Sequence, residues 1–136
     1  MFNDRFLCAV RSKHPTVGRR LTLQQYVKLP HLLISQRGGV SGVVDRALET
    51  RGLQRRVAAT VPHFLVAPIV LSQSDYVLTL AERVAHAFTK MVPLRLLKPP
   101  IELPGFSVKM AWHERTEHEA AHTWLRELLL AIAAKA

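Results

Sequence analysis

The sequence predicts an α/β fold with a largely parallel sheet. Short runs rich in apolar and β-branched residues alternate with segments whose apolar residues recur every three or four positions. Hydrophobic residues make up 49% of the 136 residues and charged residues 21%, a balance typical of a globular domain. Strands that alternate with helices over a chain of this length favour an α/β domain.

The first half of the chain contains three predicted strands and two predicted helices. Thr22 is a favourable helix-capping residue, and Pro30 ends the helix that follows it. Gly52 stands where a second helix needs a C-terminal cap. The predicted elements are a strand at 5–11, a helix capped by Thr22 that runs to about Lys28, a strand at 32–34, a helix that begins at about Val43 and is capped by Gly52, and a strand at 56–61.

The second half continues the alternation as far as a proline-rich connector. Pro62 is expected to open a helix over 63–71 that is apolar nearly all round and therefore buried, and that Pro68 kinks or shortens. The remaining predicted elements are strands at 76–80, 94–97 and 106–112 and helices at 82–90 and about 117–134. The last helix is expected to bury Ala121, Trp124, Leu125, Leu128, Leu129 and Ile132.

The formal charge of +9 is compatible with nucleic-acid binding, but the cations are scattered and form no stripe interleaved with aromatic residues. A solvated basic surface is therefore predicted. The lone cysteine, Cys8, lies among apolar residues and indicates a reducing compartment. Asp4 and Arg5 interrupt the N-terminus before a signal peptide could form, and no apolar stretch is long enough to span a bilayer. We therefore expect a cytoplasmic protein with no membrane partner.

A glycine-rich loop between a strand and a helix is the first candidate binding site. Its free N–H groups favour an anion, and Arg37 and Ser41 add donors. His63-Phe64 and Thr79-Leu80 follow other strands in equivalent positions, so three strand ends could line one cleft. Two simpler interpretations stay open: the glycines serve only a tight turn, and His63 only begins a helix.

The sequence His118-Glu119-Ala120-Ala121-His122 matches the H-E-x-x-H pattern of zinc hydrolases. Such a site needs both histidines on one buried helical face and a third ligand nearby. Here the pattern begins an exposed helix, where Glu117 and Glu119 suit the positive end of the helix dipole. The hydrolase stays a remote alternative, and no catalytic residue, metal ligand or cofactor is predicted.

An ordered series of segments resembles the C-terminal half of the effector-binding domain of LysR-type transcriptional regulators. The resemblance extends over nearly the whole chain. Its segments are Asp4–Phe6, His14-Pro15, Pro30–Ser35, Gly42–Asp45, Arg56–Ala58, Val61–Phe64, Tyr76–Arg83, Leu103–Phe106, Trp112-His113 and His122–Arg126.

The resemblance implies a type 2 periplasmic-binding-protein-like fold, in which two α/β subdomains enclose a small-molecule cleft. Residues 1–98 are then the second, βα-rich subdomain, and residues 99–136 are a crossover and the C-terminal strand–helix part of the first. We expect the N-terminal winged helix-turn-helix that binds DNA in this family to be absent from the chain. The rest of the first subdomain is the expected partner of the last helix.

By the same resemblance, the strand-end loops contact an effector and the protein is not an enzyme. The matching positions are Ser35, Gln36, Arg37, Gly38, His63, Phe64, Thr79 and Leu80. The expected partners are a small-molecule effector, such as an aromatic or other carboxylate, further copies of the chain in a homo-oligomer, and DNA only through the missing domain. An alternative is a stand-alone interaction module that forms mixed oligomers with a full-length relative.

Overall fold

The computed structural model describes residues 1–135, which form two compact units. The larger unit consists of residues 5–104, and the smaller one joins residues 1–4 to the chain from residue 105 onward. The assignment of residues 1–98 and 99–136 to two subdomains of the family remains a prediction.

The larger unit contains a five-stranded mixed sheet. Its strands are β2 (Phe6–Arg11), β3 (Pro30–Ile34), β4 (Arg56–Val61), β5 (Val77–Ala81) and β6 (Leu94–Leu97), whereas β1 (Phe2–Asp4) belongs to the other unit. The order of the strands across the sheet is β4-β3-β5-β2-β6. Strand β3 pairs in parallel with β4 and β5, whereas β2 is antiparallel to both β5 and β6. The prediction of a largely parallel sheet is therefore wrong for half of the strand pairs, because β2 is antiparallel to both of its neighbours.

Helices cover both faces of this sheet, and each face has its own hydrophobic core. The helices are α1 (Leu23–Lys28), α2 (Val43–Glu49), α3 (Ala67–Ser72) and α4 (Glu82–Thr89). Alternation along β2 divides the side chains, since Cys8 and Val10 face the core of α1 and α2 while Ala9 faces that of α3 and α4.

Two helix ends of this unit match the expectations from sequence. The Thr22 hydroxyl accepts a hydrogen bond from the Gln25 backbone N–H at 3.2 Å, and the Gln25 side chain accepts one from the Thr22 N–H, which completes a capping box. Gly52 has φ +67 just beyond α2, and the Leu53 N–H returns to the Leu48 carbonyl at 3.0 Å.

The segment after β4 differs from the prediction of one buried helix over 63–71. A 3-10 turn at Phe64–Val66 comes first, and α3 begins only at Ala67. Pro68 lies in the first turn of α3, where its missing N–H breaks no helical hydrogen bond, so it produces no kink. The exposed fractions of Leu65 and Ile69 are 68% and 52%, so only one side of the segment is buried.

The smaller unit contains an antiparallel strand pair and the longest helix of residues 1–135. Strand β1 (Phe2–Asp4) pairs with β7 (Phe106–Val108), and α5 spans Ala120–Lys135 after a 3-10 turn at Glu114–Thr116. Strand β7 is shorter than predicted, and α5 begins later. None of the helices within residues 1–135 is long and apolar enough to cross a membrane.

The prediction that α5 buries its apolar residues is wrong. Ala133 is the buried residue of α5 among those that the structure describes, and Ala121 is exposed. The exposed fractions of the large apolar side chains are 63% for Trp124, 45% for Leu125, 39% for Leu128, 38% for Leu129 and 55% for Ile132.

Candidate functional site

The candidate site lies along one edge of the five-stranded sheet, where β3, β4 and β5 end. These strands run in the same direction, so their carboxyl ends meet at this edge. Open α/β sheets bind ligands beyond the carboxyl ends of their strands. The loops that leave β3 and β4 and the last residues of β5 carry all eight positions expected to contact an effector.

The loop after β3 is a tight turn closed by its own backbone. The Ser35 N–H donates to the Val61 carbonyl at 2.9 Å, which ties the loop to the end of β4. The Gly38 N–H approaches the Ser35 carbonyl at 3.4 Å, and Gly38 has φ +72. Gly38 thus has the positive φ that the turn needs, and the turn displays Gln36 and Arg37 to solvent.

The loop after β4 presents one imidazole and one aromatic ring. His63 has an extended backbone and precedes the 3-10 turn, and the Val66 N–H donates to its carbonyl at 3.2 Å. The His63 side chain is exposed, and no group within residues 1–135 pairs with it. Phe64 is 45% exposed. The side chains of His63 and Phe64 are therefore accessible to a ligand.

Thr79 and Leu80, near the end of β5, contribute differently, because both side chains already have contacts inside the larger unit. The Thr79 hydroxyl lies 2.7 Å from the Tyr26 hydroxyl and 3.5 Å from the Cys8 sulfur. Leu80 is 4% exposed and belongs to the core against α3 and α4. Thr79 and Leu80 therefore stabilise the carboxyl edge of the sheet, whereas the loops after β3 and β4 present accessible side chains.

An ion pair at the same end of β5 was not found from the sequence. The Arg5 Nη2 donates to Glu82 Oε1 at 2.9 Å, and the Glu82 N–H donates to the Arg5 carbonyl at 2.8 Å. Hydrogen bonding from the Arg5 guanidinium lowers the pKa of Glu82. The partners are 77 residues apart, so no local pattern indicates the pair.

A buried polar network under the α1–α2 face was also missed. Arg55 donates to both oxygens of Asp45, at 2.8 and 2.7 Å, and its Nη1 lies 3.3 Å from His31 Nδ1. His31 Nε2 lies 2.6 Å from the Tyr26 carbonyl, and the Tyr26 hydroxyl reaches Thr79. The network therefore leads from the start of α2 to a residue of the candidate site.

Burial sets the ionisation of this network. It lowers the pKa of His31 to about 4, and the Arg55 charge acts in the same direction. Burial alone would raise the pKa of Asp45, but the hydrogen bonds and charge of Arg55 outweigh it, and that pKa is lowered. Neutral His31 then donates from Nε2 to the Tyr26 carbonyl and accepts from Arg55 at Nδ1.

Burial also determines the state of the hydroxyl and thiol groups around Thr79. It raises the pKa of Tyr26, and it raises the pKa of the Cys8 thiol to about 11. Cys8 is therefore a protonated, unreactive thiol in the core, as its apolar neighbours in the sequence predicted.

The H-E-x-x-H pattern does not form the geometry of a zinc hydrolase. His118 lies in the turn before α5, whereas His122 lies on the helix, so the two imidazoles do not share one helical face. Glu119 Oε2 is 3.4 Å from His122 Nε2, and both side chains are at least half exposed. The arrangement is that of a solvated helix start.

A comparison with protein families decides the class of the chain. The family described as the LysR substrate binding domain matches residues 1–134. The chain belongs to the LysR substrate-binding domain family. The resemblance inferred from the ordered segments is thereby confirmed.

The relatives of this LysR substrate-binding domain are transcriptional regulators. The chain is 32% identical over its whole length to the HTH-type transcriptional regulator SyrM of Rhizobium meliloti (strain 1021), and covers 42% of it. It is 28% identical, again over its whole length, to the HTH-type transcriptional activator NagR of Ralstonia sp, and covers 45% of it. The chain thus spans less than half of these relatives. Because they are regulators, the prediction that the protein is not an enzyme is confirmed.

Solved structures confirm the α/β fold of the periplasmic-binding-protein type. The regulatory domain of MexT, a transcriptional activator in Pseudomonas aeruginosa, superposes with a TM-score of 0.81 at 32% identity. That comparison covers 93% of this LysR substrate-binding domain and 62% of the MexT chain. A putative transcriptional regulator from Vibrio parahaemolyticus gives a TM-score of 0.82 at 24% identity, over 99% of this chain and 65% of the other.

Proposed function

We propose that this chain is the effector-sensing part of a LysR-type transcriptional regulator and binds a small molecule at the carboxyl edge of β3, β4 and β5. The observation that carries the proposal is the parallel pairing of these strands, which brings the loops after β3 and β4 and the end of β5 to one edge. The proposed contacts are Ser35, Gln36, Arg37, Gly38, His63 and Phe64, and the other two expected positions, Thr79 and Leu80, hold the end of β5 in place.

The chemistry of the edge favours a small aromatic or other carboxylate. Arg37 and His63 supply accessible cationic or hydrogen-bonding groups, and Phe64 offers a ring face to an apolar body. Thr79 and Leu80 hold the end of β5 in place: the Thr79 hydroxyl contacts the Tyr26 hydroxyl, and Leu80 packs in the core against α3 and α4.

The proposed mechanism is allosteric. An effector that binds one closure of two subdomains more tightly than another shifts the population toward that closure. Homo-oligomers of the whole regulator, in the cytoplasm, would pass this change to a helix-turn-helix domain outside this chain. The apolar residues of α5 would pack against the remainder of the first subdomain.

The experiment compares His63→Ala and Ser35→Ala in a complete regulator that contains this chain. His118→Ala is the matched control, because His118 is exposed and lies in the other unit. Benzoate and phenylacetate are tested by thermal shift and by a reporter gene. We expect a carboxylate to raise the melting temperature of the parent and control proteins but to act at least about tenfold more weakly on the two site variants.

A second candidate function is an interaction module that forms mixed oligomers with a full-length relative. The exposed apolar residues of α5 favour this function, because a large exposed apolar surface commonly marks a protein–protein interaction site. Co-expression of the tagged chain with an untagged full-length relative tests it. Co-purification in a fixed ratio supports this function, and separate elution removes it.

A further inference from the structure

A cavity with a cationic rim lies beside β6, the edge strand of the five-stranded sheet. This β6 cavity has a volume of about 530 Å³ and is lined by Arg19, Arg20, Leu21, Leu96, Leu97, Lys98, Pro99 and Pro100. Pockets for small ligands commonly measure about 300–1,000 Å³. The β6 cavity is lined by none of the residues proposed to contact the effector, so it is distinct from the carboxyl edge of the sheet, within the same larger unit.

The lining divides into an apolar floor and a positive rim. Leu21 and Leu97 are buried, with 6% and 7% of their surface exposed, and belong to the core of α1 and α2, whereas half-buried Leu96 packs against the core of the opposite face. The cationic side chains of Arg19, Arg20 and Lys98 are exposed and have no hydrogen bond or ion pair within residues 1–135. No acidic residue is among the eight that line the cavity. A ligand here would meet three cations without partners in the described part of the chain, beside a lining that is about half apolar.

The loop that carries Arg19 and Arg20 is held in place before any ligand arrives. Arg95 donates from its two terminal nitrogens to the carbonyls of Val17 and Gly18, which fastens the loop to β6. Buried His14 accepts the Val17 N–H at Nδ1, at 3.2 Å, and its Nε2 lies 3.0 Å from the Asp75 carbonyl. A preordered loop loses less conformational entropy on binding.

We propose that the β6 cavity binds a small organic anion with an apolar body, as a second ligand site separate from the carboxyl edge of the sheet. The rim cations attract the anionic group, and the leucine and proline floor accepts the hydrocarbon part. The apolar floor favours this ligand over a nucleic-acid backbone, because a phosphodiester would use the rim and leave the floor unoccupied.

Equilibrium dialysis of the 136-residue chain against 2-naphthoate tests the proposal. Naphthyl fluorescence in the protein-free chamber reports the free ligand, and 2-naphthalenemethanol serves as the neutral analogue. The site variant combines Arg20→Glu with Lys98→Glu. Its control combines Arg51→Glu with Arg56→Glu, two exposed cations that do not line the cavity, so both proteins have the same net charge.

We expect 2-naphthoate to bind the parent and control proteins with similar affinity and the site variant about tenfold more weakly. The neutral alcohol should bind more weakly than the carboxylate and be insensitive to both charge changes. His63→Ala should leave this binding unchanged. If the site variant does not fold, the neutral pair Arg20→Gln with Lys98→Gln replaces it, and a loss of several-fold is expected.

Three outcomes would overturn the proposal. Equal losses in the site variant and the control would show only a response to net charge. A loss in His63→Ala with none in the site variant would assign the binding to the carboxyl edge. A random-sequence DNA duplex that binds the rim, with no saturable binding of 2-naphthoate, would make the β6 cavity a phosphate-backbone contact.

Discussion

At the scale of single residues, His31 is the clearest case of a group whose chemistry is fixed by its surroundings. It is fully buried, and its ring meets the Tyr26 ring edge-on with centroids 4.6 Å apart. The charged groups of this network are Arg55 and Asp45: the Arg55 charge opposes a second cation at His31, and the Asp45 charge favours one. Protonation of His31 would also remove the Nδ1 acceptor that Arg55 uses.

This arrangement predicts that acid destabilises the chain through His31. The folded pKa is about 4, below the ordinary value of 6.5, so the unfolded chain binds the extra proton between these pH values. The stabilising contribution is therefore complete above pH 6.5 and is lost as the pH falls toward about 4. We expect the free energy of unfolding to fall by about 3 kcal/mol over this range from His31 alone. Urea denaturation at a series of pH values measures it.

The control for this prediction is His31→Gln, whose amide can donate to the Tyr26 carbonyl and accept from Arg55 without titrating. The difference in unfolding free energy between parent and variant isolates His31 from the other groups that titrate. That difference should shrink as the pH falls from 6.5 to 4. A difference that stays constant over this range would contradict the neutral, buried state of the imidazole.

Arg55 supports a second prediction at this scale. Its side chain is 2% exposed and forms a bidentate ion pair with Asp45, so Arg55→Met leaves a partly buried carboxylate without its counter-charge. We expect Arg55→Met to lower the free energy of unfolding by about 2–4 kcal/mol. Arg51→Met, at an exposed position just beyond α2, should change it by less than about 0.5 kcal/mol. Equal urea midpoints for the two variants would rule out a structural role for the pair.

At the scale of secondary-structure elements, the end of α2 depends on a left-handed residue. Gly52 has φ +67, and a Cβ added there meets no atom within 4 Å, so only the backbone conformation disfavours another residue. We expect Gly52→Ala to lower the free energy of unfolding by about 1 kcal/mol. Gly18→Ala is the matched control, since Gly18 also has open space but no positive φ. A melting temperature as low for Gly18→Ala as for Gly52→Ala would refute this explanation.

The elements that the sequence predicted well are those with local signals. The Thr22 capping box and the Gly52 cap depend on residues within a few positions of each other, so a single sequence reveals them. The direction of β2 depends on partners more than 60 residues away, and a short apolar run reads the same in a parallel or antiparallel pair. The prediction of a buried helix over 63–71 failed because composition alone does not show which side of an apolar segment packs against the rest of the protein.

The same division applies to the candidate site. The loops at Ser35 and His63 could be found because each directly follows a strand, and parallel strands end at one edge. The contacts of Thr79 could not, since Tyr26 and Cys8 reach it across 53 and 71 residues. Helix α5 presents a related problem, because its periodicity correctly indicates an apolar face but does not identify the partner that would bury it.

At the scale of the whole molecule, the apolar face of α5 contributes most of the exposed large apolar side chains of the smaller unit. Trp124, Leu125, Leu128, Leu129 and Ile132 follow helical spacing, so they share one side of α5 and form what we term the α5 apolar surface. Contiguous apolar surfaces of this kind mark interaction sites or promote association. Burial of apolar area is favourable by roughly 25 cal/mol per Å², so the isolated chain can gain free energy by covering this helix with another copy.

We therefore expect the isolated chain to self-associate through the α5 apolar surface. Leu125→Gln combined with Leu129→Gln should shift sedimentation-velocity profiles toward the monomer, and the melting temperature should change little because both side chains are more than a third exposed. Leu65→Gln combined with Ile69→Gln is the matched control, since these exposed residues belong to the other unit. If the control pair disperses the oligomers and the α5 pair does not, the self-association surface is the segment before and within α3. If the α5 pair alone disperses them, the α5 apolar surface is the one that drives association.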